Sequence, residues 1–281
     1  MTGVAAWHVV NSATWEGEDA LVSKVRQGAQ KLTPLTSRRP PRSPVTLEHL
    51  MALESSLDLD NTFDAAVWAI ALICFWVCCR LGELTVPSLN LFNPSKHVAC
   101  SVKYYFRNNL QNGQQLKSLH FHLPWTKSTK QEGADISASA HGSLSPSNAF
   151  RNHLRVNRDA PAEGHLFAFR TRNGSFVPMV KEWFLTRCQE IWLKFGLLLP
   201  SGHSFRIGGA TELLLAGVPP EVVAAIGRWK SLAFLLYWRK IEEILPKAIS
   251  KSYVKSRITE VHKDFERFRV AHRIPAVTSV P

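Results

Sequence analysis

The stretch from Gly202 to Arg239, GHSFRIGGATELLLAGVPPEVVAAIGRWKSLAFLLYWR, decides the fold of this chain. Its turn residues predict three short helices, because Ser favours a helix N-cap, Pro the first helical position and Gly the position after a helix end. We predict that Ser204 is the N-cap of a first helix from Phe205, that Gly208 and Gly209 loosen its first turn, and that Gly217 is its C-cap. Pro219 and Pro220 would begin the second helix, and Gly227 would end it. Ser231 would be the N-cap of the third helix.

Four side chains of this stretch can meet around one pocket. His203 and Arg206 lie three residues apart at a predicted helix entrance, where backbone amides and the helix dipole favour a phosphate. Trp229 follows the second predicted helix, and Tyr237 falls on the second turn of the third. Each residue also has an ordinary structural interpretation, since such residues are common in protein cores. The ordered set is more specific than any of its members.

The segments SGHSFRIGGA, AGVPPEVVAAIGRW and FLLYWR resemble the tyrosine recombinase (phage integrase) family, in particular its Cre-like branch and the integrase-like proteins of eukaryotic crypton-type elements. In that family a second His or Trp usually lies nine positions before the catalytic tyrosine. Trp229 lies eight positions before Tyr237, and Arg228 lies nine before it. Either residue can take this role, and Trp229 is the preferred candidate.

The same resemblance assigns residues upstream. A helix predicted over Asn61–Cys79 leads into RLGEL, which resembles the family's first catalytic arginine and its supporting acidic residue, here Arg80 and Glu83. The family places a catalytic lysine in a β-hairpin, and in PWTKSTKQEGADI Lys127 matches it, with Lys130 as the competitor. Without the resemblance, Arg80 would be interpreted as a charge that complements the dipole at a helix end, and Lys127 and Lys130 as ordinary surface residues.

The resemblance implies a mechanism whose chemistry suits these residue types. Arg80 and Arg206 would neutralise charge growing on a phosphodiester, since guanidinium groups bind phosphate oxygens well. The remaining implied roles are Tyr237 as nucleophile with Tyr253 as a fallback, His203 as proton handler, Lys127 as the acid that protonates the leaving 5′-oxygen, and Trp229 as a further phosphate contact. The product would be a 3′-phosphotyrosine bond, formed without metal or nucleotide cofactor.

Composition points to a polyanionic partner. The chain has 281 residues, a formal net charge of +12 and a pI near 9.7. Such a charge surplus favours nucleic acid, here double-stranded DNA, ahead of a membrane surface. The most apolar run, Ala65 to Cys79, has 15 residues, fewer than the roughly 20 that a membrane span needs. It therefore predicts a buried core helix.

The five cysteines predict buried, reduced thiols in an intracellular protein, because three of them, Cys74, Cys78 and Cys79, lie in one apolar run. His97 with Cys100, or His120 with His122, has no accompanying CxxC motif, so we predict no metal site. No signal peptide pattern opens the chain, and we expect a nuclear protein if the source is eukaryotic.

The predicted fold is mainly α with a small antiparallel β-sheet, an α+β class. Helices are predicted over Val45–Leu57, Asn148–Val156 and Pro178–Phe195, and strands over Val98–Phe106 and Leu116–Pro124, with a third short strand after the lysine hairpin. The predicted domains are residues 1–43, the remnant of a truncated core-binding domain with a basic linker, residues 44–250, a tyrosine recombinase catalytic domain, and residues 251–281, a helical tail. Candidate DNA contacts are Arg38, Arg39, Arg42 and Lys130.

Three alternatives remain at this point. A type IB topoisomerase shares the chemistry but acts as a monomer, whereas the resembled family exchanges strands as a homotetramer. A helix-turn-helix regulator would need polar side chains on its recognition helix, but Val222 to Ile226 is almost wholly apolar. A decayed mobile-element protein would bind DNA without cutting it, although the complete set of candidate residues favours retained recombination or integration chemistry.

Overall fold

The structure is a computed structural model that describes residues 2–37, 42–111, 114–139 and 142–229, together with Lys263, Glu266, Arg267, Val270 and Ala271. The chain divides into two compact units, and the boundary between them in the sequence falls after Arg42. Helices predominate, and the described strands form a three-stranded and a two-stranded antiparallel sheet. The predicted α+β class is confirmed.

The first unit contains two helices, α1 (Thr2–Val10) and α2 (Ala20–Leu32), followed by a 3₁₀ turn over Leu35–Ser37. Asp19 caps α2 by accepting hydrogen bonds from the backbone N–H groups of Leu21 and Val22. Helix α2 therefore includes some of the basic residues that precede residue 43, and Asp19 satisfies two of the backbone N–H groups at its start.

The second unit is built around α4 (Thr62–Trp76), whose positions from Ala65 to Phe75 are all buried. Asn61 begins this helix by accepting from the backbone N–H groups of Phe63 and Asp64. Helices α6 (Pro146–Val156) and α8 (Ser204–Leu215) pack against α4, and α3 (Leu47–Ser56) packs against α7 (Lys181–Lys194). A helix that is apolar on every face requires such neighbours on all sides.

Helix α4 ends at Trp76, three residues before the predicted end at Cys79. Cys78 has a φ of +49°, in the left-handed region, where a right-handed helix cannot continue. The chain then turns into the short helix α5 (Leu81–Leu84), with Arg80 at its N-cap. This break brings Arg80 and Glu83 to the carboxyl end of the buried helix.

Helix α8 begins differently from the prediction. Its N-cap is His203, and the Ser204 hydroxyl accepts a hydrogen bond from the backbone N–H of Ser201 instead of capping the helix. Gly208 and Gly209 do not serve to loosen the helix. A Cβ at these positions would lie 1.9 Å from the Val45 carbonyl oxygen and 1.8 Å from that of Phe75. Gly209 therefore permits α8 to lie directly against the backbone of α4, and Gly208 permits it to lie against the segment that precedes α3.

The main sheet has the order β1 (Tyr104–Gln111), β2 (Gln114–Leu123) and β3 (Ala134–Ser139), all antiparallel. The first strand was predicted too early, since Ala99 instead forms an isolated bridge with His165. The segment NNLQNGQQ, predicted as a turn, lies largely within the paired strands, which pair as far as Gln111 and Gln114. Strands β4 (Phe169–Arg170) and β5 (Phe176–Val177) form a small hairpin.

Four of the described histidines are buried, and His153 and His165 are the two with the lowest exposure. Nε2 of His153 donates to the Leu166 carbonyl at 2.9 Å, and Nδ1 of His165 accepts from the backbone N–H of Phe167 at 3.2 Å. Burial lowers the pKa of His153 to about 4 and is the main reason that the pKa of His165 falls to about 3. Both rings are therefore neutral in the folded protein at neutral pH.

We expect the free energy of unfolding to fall as the pH drops from about 6.5, where histidines of the unfolded chain begin to bind protons, towards about 4. The sign follows because both folded-state pKa values lie below the unfolded value, so the stability is complete above pH 7. Urea unfolding between pH 7 and 4.5 measures this slope. The His153→Gln variant should reduce the slope and the exposed His122→Gln variant should not, whereas an unchanged slope in His153→Gln would contradict the assignment.

Candidate active site

Two arginines bind one buried carboxylate, and a third lies beside them. Glu83 accepts hydrogen bonds from the backbone N–H of Arg80 at 3.0 Å, from Nη1 of Arg80 at 3.2 Å and from Nη2 of Arg228 at 2.7 Å. The Glu83 side chain is 3% exposed and that of Arg80 is 31% exposed. The predicted pair Arg80 and Glu83 is thus a direct contact, and Arg228 joins it from a distant part of the sequence.

Arg206 lies beside this pair and is the most buried of the three arginines, at 1% exposure. Its guanidinium donates to the carbonyl oxygen of Cys78 and, at 2.6 Å, to that of Gly227. It also lies 4.0 Å from the centre of the Trp229 ring, a distance typical of cation–π contacts. Arg206 therefore connects α8 with the end of α4 and with the chain that follows α9 (Pro220–Gly227).

Both of these connected chain segments contain a strained backbone position. Cys78 has a φ of +49° and Arg228 a φ of +57°, conformations that cost L-residues roughly 1 kcal/mol each. Arg206 hydrogen-bonds the carbonyl of Cys78 itself and that of Gly227, the residue preceding Arg228. Strained positions that the surrounding structure stabilises are characteristic of functional sites.

Helix α9 ends at Gly227, as predicted, but the left-handed residue is Arg228 and not the glycine. A Cβ on Gly227 would lie 1.8 Å from the Trp229 ring. The glycine is required because the indole folds back over the end of α9. This close approach places Trp229 under Arg206.

The site carries unbalanced positive charge. Burial, followed by the neighbouring charge of Arg80, lowers the pKa of Arg206 to about 10, so this group stays protonated at neutral pH. Burial raises the pKa of the adjacent Cys78 and Cys79 thiols to about 12 and 11, so both remain neutral. Three guanidinium groups against one carboxylate leave two positive charges, which favours an anionic ligand.

The lysine hairpin lies next to Arg80. Nη1 of Arg80 is 3.5 Å from Oγ of Ser128, the residue after Lys127. The hairpin connects β2 and β3 and is tightened by the Thr126 hydroxyl, which accepts from the backbone N–H groups of Ser128 and Thr129. Lys127 is exposed. A rigid turn therefore presents this lysine beside the arginine cluster.

Lys130 is held differently from Lys127. It has a φ of +56°, and its Nζ lies 5.5 Å from the centre of the Trp125 ring. This cation–π contact directs the ammonium group onto an aromatic face of the hairpin. The geometry therefore favours Lys127 as the more available of the two lysines.

The remaining predicted residues divide into two groups. His203 is half-buried at the N-cap of α8, three residues before Arg206, and Arg42 is exposed. The predictions that lie outside the described residues concern Arg38, Arg39, Ser231, Tyr237, Tyr253 and the tail helix. The structure thus brings together Arg80, Glu83, Arg206, Arg228 and Trp229.

Sequence reasoning missed the acceptors that orient these arginines. The carbonyls of Cys78 and Gly227 and the hydroxyl of Ser128 carry no local sequence signal, because each is tens of residues from its arginine. The described residues contain no group of three His, Cys, Asp or Glu side chains that could hold a metal ion. Within the same residues, no helix is long and apolar enough to cross a membrane.

We expect Glu83→Gln to lower the free energy of unfolding by about 3 kcal/mol, because it leaves Arg228 buried without its counter-charge. Denaturant unfolding at neutral pH measures this loss. Glu190→Gln is the matched control, since Glu190 is half-exposed and pairs with Arg187 at 3.6 Å, and such surface pairs are worth less than about 1 kcal/mol. Equal effects of the two substitutions would contradict the buried network.

No protein-family model and no curated protein matches this sequence. Among solved structures, the chain is similar to the XerA recombinase, with 13% identity and a TM-score of 0.47, covering 83% of this chain and 74% of that one. It is similar to the Tn1549 transposon integrase in complex with circular intermediate DNA, with 17% identity and a TM-score of 0.46, covering 83% and 71%.

The chain is also similar to the FLP recombinase in a Holliday junction complex, with 13% identity and a TM-score of 0.40 over 82% of this chain. It covers 51% of that chain, and 54% of the XerH site-specific recombinase in a post-cleavage complex with its difH substrate. It therefore spans about half the length of these two proteins. These four solved structures are recombinases and integrases.

Proposed function

We propose that this chain is a tyrosine recombinase that breaks and rejoins double-stranded DNA through a 3′-phosphotyrosine bond at Tyr237. The observation that carries the proposal is the cluster of Arg80, Arg206 and Arg228 around the single carboxylate of Glu83. Two uncompensated positive charges in a largely buried site are stabilised by an anion such as a DNA phosphate.

Within this cluster, Arg80 is the arginine that a phosphate can reach, because its side chain is partly exposed. Its carboxylate partner holds the guanidinium in place and leaves N–H groups for phosphate oxygens. Arg206 is bonded to two carbonyls and contributes its charge from within the protein. Charge that develops on the phosphate in the transition state would be stabilised by both groups.

The nucleophile is assigned from the motif. Tyr237 follows Trp229 by eight residues, and Trp229 lies against Arg206 in the cluster. The Tyr237 hydroxyl attacks phosphorus and the bond to the 5′-oxygen breaks.

Proton transfer completes the exchange. His203 accepts the tyrosine proton and Lys127 protonates the departing 5′-oxygen. The reverse attack by a 5′-hydroxyl of a second strand restores the phosphodiester bond and releases Tyr237. Each step replaces one phosphoester bond with another. The number of phosphoester bonds is therefore unchanged, and the reaction requires neither metal nor nucleotide.

Further parts of the proposal concern assembly and context. Strand exchange would take place in a homotetramer on DNA, with the basic residues Arg38, Arg39 and Arg42 along the phosphate backbone and Lys130 beside it. The chain would serve recombination or integration of a mobile element, in the nucleus of a eukaryotic host. A fluorescent fusion excluded from nuclei would oppose the last point.

A helix-turn-helix regulator fits the described residues less well. Helix α9 is eight residues long and its Val223 is fully buried. Its exposed positions are Glu221, Val222 and Ala225. An acidic and apolar surface of this kind offers no donors to base edges and repels phosphates.

We expect wild-type protein to form a covalent complex with nicked DNA duplexes tiled across the DNA that flanks its gene, because the nick traps the cleaved strand. Denaturing gels in EDTA detect the complex. Tyr237→Phe should abolish it, since phenylalanine has no nucleophilic oxygen, and Tyr253→Phe is the control that should retain it. Salt-sensitive DNA binding without any covalent product would instead favour an inactive DNA-binding remnant.

We expect Lys127→Ala to slow cleavage by roughly 10²-fold or more, the scale of a lost general acid, and Lys130→Ala to have a much smaller effect. Single-turnover cleavage of the trapping duplex measures both rates. A substrate with sulfur in place of the 5′-bridging oxygen should rescue Lys127→Ala, because a thiolate leaves without protonation. Absence of rescue would remove Lys127 from that role.

A further inference from the structure

Arg228 has contacts that the proposed chemistry does not explain. Its side chain is 12% exposed, and Nη2 donates to Glu83 at 2.7 Å and approaches Sγ of Cys79 at 3.6 Å. Its Nε and Nη1 groups are buried and have no hydrogen-bond partner within the described part of the chain. Burying an arginine with unpaired N–H groups costs free energy of folding, so the presence of Arg228 at this position requires an explanation.

We propose that Arg228 is a positioning residue, which uses its ion pair with Glu83 to fix, relative to Arg80, the direction in which the chain leaves α9 towards Tyr237. This inference rests on the proposed function, because it concerns how the nucleophile is delivered. In this role Arg228 does not bind the phosphate and so differs from the other arginines of the cluster.

The first observation in support is that the carboxylate of Glu83 binds both Arg80 and Arg228. Oε1 of Glu83 accepts from the guanidinium of Arg80, and Oε2 accepts from the backbone N–H of Arg80 and from Arg228. The start of α5 and the end of α9 are therefore linked through a single buried side chain. A shift of Arg228 would be transmitted to Arg80, and the reverse.

The second support is the backbone at Arg228. This residue is the C-cap of α9 in the left-handed conformation, with a φ of +57°, and it sets the direction in which the chain leaves the helix. The next backbone N–H, that of Trp229, bonds to the carbonyl of Ala224 at 3.0 Å. Anchoring the Arg228 side chain to Glu83 stabilises this turn, and so the exit direction of the segment that carries Tyr237.

The geometry also argues against Arg228 as a phosphate ligand. Nη2 donates to Glu83, and the Arg228 side chain is only 12% exposed. Nε and Nη1 are shielded from solvent. Arg80 combines an anchored guanidinium with partial exposure, the combination that Arg228 lacks.

The test compares Arg228→Met with Arg228→Lys in the full-length chain on the trapping duplex. We expect Arg228→Met to slow covalent-complex formation at saturating DNA by roughly 10²-fold, the scale of a misplaced reacting group. Its DNA dissociation constant should stay within about threefold of wild type, because the binding contacts remain. Arg228→Lys should recover much of the rate, since an ammonium group can still pair with Glu83.

A methylphosphonate at the cleavage position provides the deciding arm, because a methyl group replaces one non-bridging oxygen and removes the phosphate charge. Arg80→Ala should be rescued at least about tenfold on this substrate, since the neutral linkage no longer needs that guanidinium. Arg228→Met should not be rescued. Rescue of Arg228→Met to the same extent would overturn the positioning role and make Arg228 a phosphate ligand.

The double substitution with Glu83→Gln gives an independent answer. If Arg228 acts through Glu83, adding Arg228→Met to the Glu83→Gln chain should slow cleavage little further, whereas independent roles would give additive losses of rate and overturn the proposal.

Arg187→Met is the matched control, because Arg187 pairs with Asp64 at 2.7 Å at the opposite end of α4, about 20 Å away. It should lower stability and leave the rate unchanged.

The experiments distinguish failure of the positioning role of Arg228 from failure of the proposed recombinase function. A wild-type chain that forms no covalent complex on any tested duplex would overturn the recombinase chemistry and this role together. A wild-type chain that cleaves DNA, combined with additive losses or methylphosphonate rescue of Arg228→Met, would overturn the positioning role alone.

Discussion

A guanidinium group that is buried in a protein must be surrounded by hydrogen-bond acceptors, and Arg206 meets this requirement with backbone carbonyls of Cys78 and Gly227. Both carbonyls become available because the chain leaves a helix at these points. The break after α4 and the turn after α9 are therefore parts of the same site. If either helix continued by two more turns, the carbonyl that Arg206 binds would be used within the helix and Arg206 would lose an acceptor.

The close packing of α8 on α4 places Arg206 at this position. Gly209 allows contact with the backbone of Phe75 in α4, and Gly208 allows contact with the backbone of Val45 before α3, so α8 lies nearer to both than side chains would permit. Gly227 acts in the same way for Trp229. Three glycines at points of close approach thus determine the distance between the buried helix and the arginine cluster.

The charge arrangement links this packing to chemistry. Glu83 compensates one of three guanidinium groups, and the neutral thiols of Cys78 and Cys79 compensate none. The cost of burying the remaining charge is offset by carbonyl and aromatic contacts, and an arriving phosphate would offset it further. A site that is electrostatically incomplete without its substrate stabilises an anion more strongly than a neutral one would.

The sequence by itself determined the helix starts at Asn61 and Pro220, the buried helix α4, the lysine hairpin and the pairing of Arg80 with Glu83. Caps, turns and near neighbours act over a few residues, so a local pattern is enough to predict them. Ser204 was misassigned as a cap because a competing partner, Ser201, became visible only in the folded chain. Only the tertiary structure decided that Trp229 stacks on Arg206 while Arg228 pairs with Glu83. That choice depends on a contact between residues 145 positions apart, and no local pattern encodes such a contact.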